Sequence, residues 1–296
     1  MNCTIIGRGA WGRAVGSILE ENGATVNYLE KEHSSWLPGT PGSFVFLALP
    51  CQLLRDRLTS LPSPQVPVVS LIKGLEVDRF LRVSEIVQAQ WPDCPVACVS
   101  GPSFALEVEK RDPTAVVVAT LKVELGKEIQ SLLRHPRFRP YRSTDLAGVE
   151  LGGALKNIYA LAGGLSQGLG IGENGRAALM TRSLAEMTRI IVSLGGQPDT
   201  VFGLSGVGDL MLTAFSGSSR NFQVGEAVAR GQALDEVLSG LQGTAEGVSS
   251  VKAVHQWVVQ NDIKAPIVEE IYAIFYEKKS PAKSINDLML RTTGEE

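Results

Sequence analysis

An apolar run at residues 3–6 breaks into Gly7-Arg8-Gly9-Ala10-Trp11-Gly12, and a helical pattern follows at once, to about Glu21. Few local features restrict a fold more. In a strand, G-x-G-x-x-G turn and helix read in that order, the first glycine permits a tight turn. The second lets the backbone approach a pyrophosphate, and the third lets the helix pack close. The helix N-terminus then offers amide donors to phosphate. Its position at the start of the chain, strand before and helix after, makes the turn a dinucleotide site in which Gly7, Gly9 and Gly12 each have a separate task.

The rest of the first half repeats that rhythm. Short, Val-rich, nearly all-apolar runs occur at 25–29, 44–49, 66–71, 96–100 and 115–119, with helical stretches such as 52–60 and 80–89 between them. Runs apolar on both alternations are strands covered on both faces, and strand–helix alternation gives a mainly parallel sheet with helices on both sides. After about residue 143 the period changes. Residues 146–165, 175–194, 221–229, 248–260 and 266–277 carry apolar residues at helical spacing with Gly or Pro near their ends, and residues 231–247 are loop-rich. The expected organisation is α/β: a cofactor domain over 1–145 and an all-helical domain over 146–296.

Composition narrows the function classes. At 44% hydrophobic and 20% charged, the chain is neither disordered nor a coiled coil. A net charge of −3, from 28 basic against 31 acidic residues, gives no reason to expect a nucleic acid or anionic membrane as partner. Cys94 and Cys98 have no second Cys/His pair beside them, so no metal site is expected, and four scattered cysteines read as reduced thiols of a cytoplasmic protein. The first residues lack the basic start of a signal peptide. No apolar stretch reaches the ~18 residues of a membrane helix, so membrane insertion is not expected.

Cofactor choice is undecided from the residues alone. Glu30 ends the second apolar run, about 20 residues beyond the glycine turn, where a carboxylate binds the adenosine ribose hydroxyls of NAD. Lys31 beside it would favour the 2′-phosphate of NADP, so NAD or NADP remains open.

The second half carries Glu150-Leu-Gly-Gly-Ala-Leu-Lys156-Asn157-Ile158, then Gly206-Val-Gly-Asp209-Leu210, then Ser218-Ser219-Arg220-Asn221. A lone helical lysine is more often surface charge. Two glycines one turn before Lys156, however, leave room for a ligand, and hydroxyl, guanidinium and amide together at a helix start suit a phosphate. With Gly7–Gly12, Ser70-Leu-Ile-Lys73-Gly74-Leu75-Glu76, Gly101-Pro102-Ser103-Phe104-Ala105, Gly168-Leu-Gly170 with Asn174 and Ala177, and Thr244-Ala-Glu246-Gly247, these motifs resemble the bacterial-type NAD(P)-dependent glycerol-3-phosphate dehydrogenase family over almost the whole chain.

The resemblance implies a Rossmann-like sheet domain, a helical substrate domain, and reversible hydride transfer at C2 between dihydroxyacetone phosphate and sn-glycerol 3-phosphate, at the head of phospholipid synthesis. It assigns Lys156 as the catalytic lysine, Lys73 as a second lysine touching substrate and cofactor, and Asp209 as a substrate-site carboxylate that orients Lys156 or accepts a substrate hydroxyl. Gly101, Ser103, Ser219, Arg220 and Asn221 fall on substrate positions. Trp11, Lys31, Lys73, Ala105, Arg220 and Glu246 fall near the cofactor. A homodimer is also a family expectation.

Two departures stand out. Ala10 replaces the family's serine in the glycine turn and removes one hydroxyl there. Between Lys31 and Phe44 the family has a helix, a strand and a second helix, and a dozen residues cannot build that crossover. One usual strand is therefore expected to be missing, leaving the second strand at the sheet edge. Two other readings remain: a β-hydroxyacid or ketopantoate-type reductase, which leaves the Ser-Arg-Asn cluster unexplained, and a dinucleotide sensor without turnover.

Overall fold

The computed structural model describes residues 1–30, 42–241 and 243–292. Its strands are β1 (Asn2–Ile6), β2 (Thr25–Leu29), β3 (Phe44–Leu47), β4 (Val68–Ser70), β5 (Leu75–Glu76), β6 (Leu81–Arg82), β7 (Val96–Ser100), β8 (Thr114–Ala119) and β9 (Phe138–Ser143). The helices are α1 (Ala10–Glu21), α2 (Leu54–Thr59), α3 (Val83–Gln90), α4 (Ala105–Glu109), α5 (Val123–Leu133), α6 (Leu146–Gly168), α7 (Glu173–Ser193) and α8 (Pro198–Val201). They continue with α9 (Asp209–Ala214), α10 (Arg220–Ala229), α11 (Leu234–Gly240), α12 (Glu246–Gln260), α13 (Pro266–Tyr276) and α14 (Pro281–Met289).

The chain forms two compact units, Met1–Gly153 with Leu194–Asp209, and Ala154–Ser193 with Leu210–Glu296. The first holds a seven-stranded sheet of order β2-β1-β3-β4-β7-β8-β9 and a small β5–β6 hairpin. Every pairing in the large sheet is parallel except β7 with β8. Among the described residues β2 is the edge strand on its side, as the shortened segment predicts. The segment itself, Lys31 included, lies outside the described residues.

Both faces of this sheet are covered, for a reason visible in the strands. Phe44 and Phe46 of β3 point with Cys3 and Ile5 of β1 into one cluster, packed under α1 and α5. Val45 and Leu47 point with Ile6 into the other, under α2 and α3. Alternate side chains leave a strand on opposite faces, so an uninterrupted apolar run can fill two cores at once.

Helices and their connecting turns make up the second unit, with no strand among its described residues. The part of α6 in it is buried all round, with Ala154, Leu155, Ile158, Tyr159, Ala160, Leu161 and Ala162 each at most 4% exposed. A helix apolar on every side belongs in the middle of a bundle. Pro266 opens α13 and contributes no N–H, so the next two amides need acceptors. Glu186 of α7 supplies them. Its carboxylate accepts from Ile267 N and Val268 N at 2.9 Å each and from the Tyr159 hydroxyl at 3.3 Å.

Burial pushes the Glu186 carboxyl up to about 7, against the lowering effect of those two amides. A carboxyl raised above its unfolded value adds stability below about 4.5, and that stability is lost as the pH rises through about 7. Glu186→Gln should therefore flatten the decline in stability between pH 5 and pH 8 by ~2–3 kcal/mol. Urea unfolding of both proteins at the two pH values checks this, and parallel pH profiles would refute it.

Candidate functional site

The glycine turn adopts the geometry its spacing implies. Gly7 has a φ of 102°, the left-handed region open to glycine, and a Cβ there would run into the Ala48 carbonyl. A Cβ on Gly12 would come within 2.7 Å of the Gly7 oxygen, whereas one on Gly9 would meet nothing within 4 Å. The turn is thus closed toward the protein at Gly7 and Gly12 and open outward at Gly9. No side chain caps α1, whose N-cap is Gly9, and no acidic residue stands in its first turn. That leaves the positive end of the helix dipole for an anion. Beside it, the Trp11 indole Nε1 is buried without a hydrogen-bond partner. The cradle and the orphaned donor both fit a dinucleotide.

Trp11 and Ala105, the first residue of α4, both pack against the core cluster beneath α1. Glu30 sits at the end of β2, its carboxylate 3.0 Å from the Arg8 guanidinium.

Lys73 lies between β4 and β5 and gathers the sequence-predicted residues of this unit. Its ammonium donates to the Gly101 carbonyl at 2.7 Å, to Ser103 Oγ at 3.2 Å and to Asp209 Oδ2 at 2.7 Å. Asp209 is fully buried, and a π-helical turn, Leu204–Gly208, delivers it to the start of α9. Sequence reasoning placed Asp209 in the substrate site but missed its bond to Lys73.

The stem of Lys73 lies against Gly153, where a Cβ would come 3.4 Å from Lys73 Cγ. The residues after it are anchored by Arg55, which grips the Glu76 carboxylate with two bonds of 2.5 and 2.8 Å and holds that carboxyl below its usual range. Glu150, at the buried start of α6, accepts from the Ser84 amide and hydroxyl at 2.8 and 2.6 Å and from Arg82 at 3.3 Å. It therefore ties α6 to the N-terminus of α3.

In the helical unit, Lys156 is 6% exposed and donates to Thr213 Oγ1 at 2.8 Å. Thr213 was missed by sequence reasoning. The available signal was its place one helical turn after Asp209, on the same face of α9. Asn157 and Asn221 are joined side chain to side chain at 3.0 Å, and Asn221 Oδ1 also accepts the Gly247 amide at 2.9 Å. One amide group thus links α6, α10 and the first turn of α12, where Glu246 stands. Ser219 is the N-cap of α10, its Oγ accepting from Phe222 N, while Arg220 opens the same helix and is exposed. The Ser-Arg-Asn cluster therefore sits at a helix N-terminus, with one member capping it, one reaching solvent and one buried as a strut.

A parallel sheet entered through a glycine cradle, followed by a helical unit with a buried lysine, defines the class of two-part nicotinamide dinucleotide-dependent dehydrogenases. Comparison with known proteins makes this specific. Residues 41–125 match the model of the NAD-dependent glycerol-3-phosphate dehydrogenase N-terminus, and residues 145–286 that of its C-terminus. The chain is 37% identical to glycerol-3-phosphate dehydrogenase [NAD(P)+] of Chlorobium phaeobacteroides, covering 100% of this chain and 99% of that one. It is 38% identical to the enzyme of that name from Solidesulfovibrio magneticus, with all of both chains covered. Both alignments run over 331 positions against 296 residues here, so these relatives carry residues this chain lacks. The crystal structure of glycerol-3-phosphate dehydrogenase from Coxiella burnetii superposes with a TM-score of 0.89 at 29% identity, over 98% of this chain and 99% of that one. The chain belongs to the NAD(P)-dependent glycerol-3-phosphate dehydrogenase family.

Proposed function

We propose that this protein reduces dihydroxyacetone phosphate to sn-glycerol 3-phosphate with NADH or NADPH, reversibly, and so supplies glycerophospholipid synthesis. The observation that carries the reading is Lys73, whose one ammonium joins Gly101, Ser103 and Asp209, so that its own motif meets two others. Residues 1–145 are read as the cofactor part and 146–296 as the substrate part.

Reduction of the C2 ketone requires a hydride at carbon and a proton at oxygen, with positive charge near the oxygen as it becomes an alkoxide. The nicotinamide supplies the hydride when bound. Lys156 is assigned the proton: its buried ammonium donates to the Thr213 hydroxyl at 2.8 Å, which helps to fix the Nζ position. Lys73 supplies the second positive charge, and Asp209, Gly101 and Ser103 set where that charge sits.

Gly7, Gly9, Gly12 and the first turn of α1 cradle the pyrophosphate, with Trp11, Glu30, Lys73, Ala105, Arg220 and Glu246 assigned to the cofactor around it. Ser219, Arg220 and Asn221 hold the substrate phosphate, so binding energy from a non-reacting group orients the ketone. Arg220→Ala should raise KM for dihydroxyacetone phosphate ~10–100-fold, the loss of a charge-assisted pair, and leave kcat less affected. An unchanged KM in initial-rate measurements would remove Arg220 from the phosphate site.

A substrate panel tests the reaction itself. Nicotinamide oxidation with dihydroxyacetone phosphate and little with ketopantoate or 2-keto acids supports the reading; the reverse preference defeats it. Four free, buried thiols support the assignment to the reducing cytoplasm. No helix of the described residues is long and apolar enough to cross a membrane. The homodimer carries over from the family as part of the same proposal.

A further inference from the structure

We propose that Arg8 selects the cofactor, its guanidinium receiving the 2′-phosphate of NADP; the inference deepens the dehydrogenase reading and rests on it. Arg8 occupies the first variable position of the glycine turn, beside the open face at Gly9. Its Nη1 donates to Glu30 Oε1 at 3.0 Å, and its Cζ lies 5.4 Å from the centre of the Tyr28 ring. Arg13 Nη1 donates to the Arg8 carbonyl at 3.0 Å, which fixes the turn from the next level of α1. Arg8 lines one recess on this side of the unit with Arg13, Arg111 and Tyr28, and the recess also holds the carboxylates Glu20 and Glu109, the latter 3.9 Å from Arg13.

Glu30 alone would favour NAD. A carboxylate at the end of the second strand takes the ribose hydroxyls and repels a phosphate on the same ribose. The bond to Arg8 changes both effects. It offsets the carboxylate charge that would repel the phosphate, and NADH must compete with a guanidinium for the oxygen its ribose needs. The guanidinium is a planar fork of five donors, of which the bond to Glu30 uses one. With the Arg8 side chain 59% exposed, the rest of the fork is open to solvent and suited to bidentate binding of a phosphate. The pair therefore converts a site that rejects a 2′-phosphate into one that accepts it.

The test is equilibrium binding, followed by quenching of tryptophan fluorescence, in the wild type, Arg8→Leu and Arg8→Lys. The probes are NADPH, NADH and the fragments 2′,5′-ADP and AMP. The wild type is expected to bind NADPH at least ~10-fold more tightly than NADH, and 2′,5′-ADP more tightly than AMP. Arg8→Leu should weaken NADPH ~10–100-fold, the size of one charged hydrogen-bonded contact, with NADH within twofold of wild type. Arg8→Lys, which keeps the charge and loses the fork, should fall between them. Equal weakening of both cofactors, or unchanged NADPH affinity in folded Arg8→Leu, overturns the role of Arg8 and leaves the dehydrogenase reading standing. Wild-type protein that binds neither nicotinamide overturns both.

Discussion

Lys156→Met should lower kcat for dihydroxyacetone phosphate reduction by ~10²–10⁴, the usual range for removing a general acid, while cofactor affinity stays near wild type. Methionine is the right replacement because the site is buried. Lys156 is 6% exposed, and Met keeps the length and volume of the stem. Circular dichroism and urea unfolding, measured beside the kinetics, separate loss of chemistry from loss of fold. Thr213 loses the donor it accepts and can rotate its hydroxyl to donate instead. The expected result is a folded protein that binds cofactor and barely turns over. A kcat within tenfold of wild type would remove Lys156 from the chemistry and turn attention to Lys73.

The second large effect concerns the Lys73–Asp209 pair. Asp209 is completely buried, while the Lys73 side chain is 16% exposed and also bonds Gly101 and Ser103. The two single substitutions should therefore be unequal. Lys73→Met removes a 2.7 Å ion pair from a fully buried carboxylate and should cost ~3–5 kcal/mol. Asp209→Ala leaves an ammonium that keeps a carbonyl and a hydroxyl and can reach water, so it should cost less. The double variant should be more stable than the sum of the two losses predicts, because both single losses include the same direct contact. Both single variants should also lose activity. Additive stabilities in urea unfolding would mean that the 2.7 Å contact does not couple the two residues.

What could be read in advance was mostly local. The glycine turn lies within six consecutive residues, and β1, β3, β4, β7 and β8 appear in the sequence as apolar runs because both of their faces are covered, whereas the edge strand β2 leaves Thr25 and Asn27 exposed. β9 was not foreseen. Phe138-Arg-Pro-Tyr-Arg-Ser carries a proline and two arginines, a composition that argues against a central strand. It fits an edge strand, and β9 ends the sheet beside β8, with Phe138 and Pro140 turned inward. The expected helix over 80–89 begins later, at Val83, because Leu81 and Arg82 pair with β5. Inside the loop-rich stretch 231–247, α11 forms without burying any side chain, so no apolar stripe marked it.

The site divides in the same way. Motifs located Lys73, Asp209, Lys156 and Asn221, but not their partners. Lys73 and Asp209 are 136 residues apart, and no periodicity links them. The roles of Glu150 and Glu186 as remote acceptors for helix N-termini were equally invisible, since each depends on which helix start the fold brings to it.

Despite the short segment between Lys31 and Phe44, the chain is expected to work as a dehydrogenase. The most direct test is absorbance at the nicotinamide band while the purified protein is mixed with NADPH or NADH and dihydroxyacetone phosphate, followed by chiral identification of the product. Cofactor oxidation should require the ketone and yield sn-glycerol 3-phosphate. Folded protein that oxidises neither cofactor would contradict it.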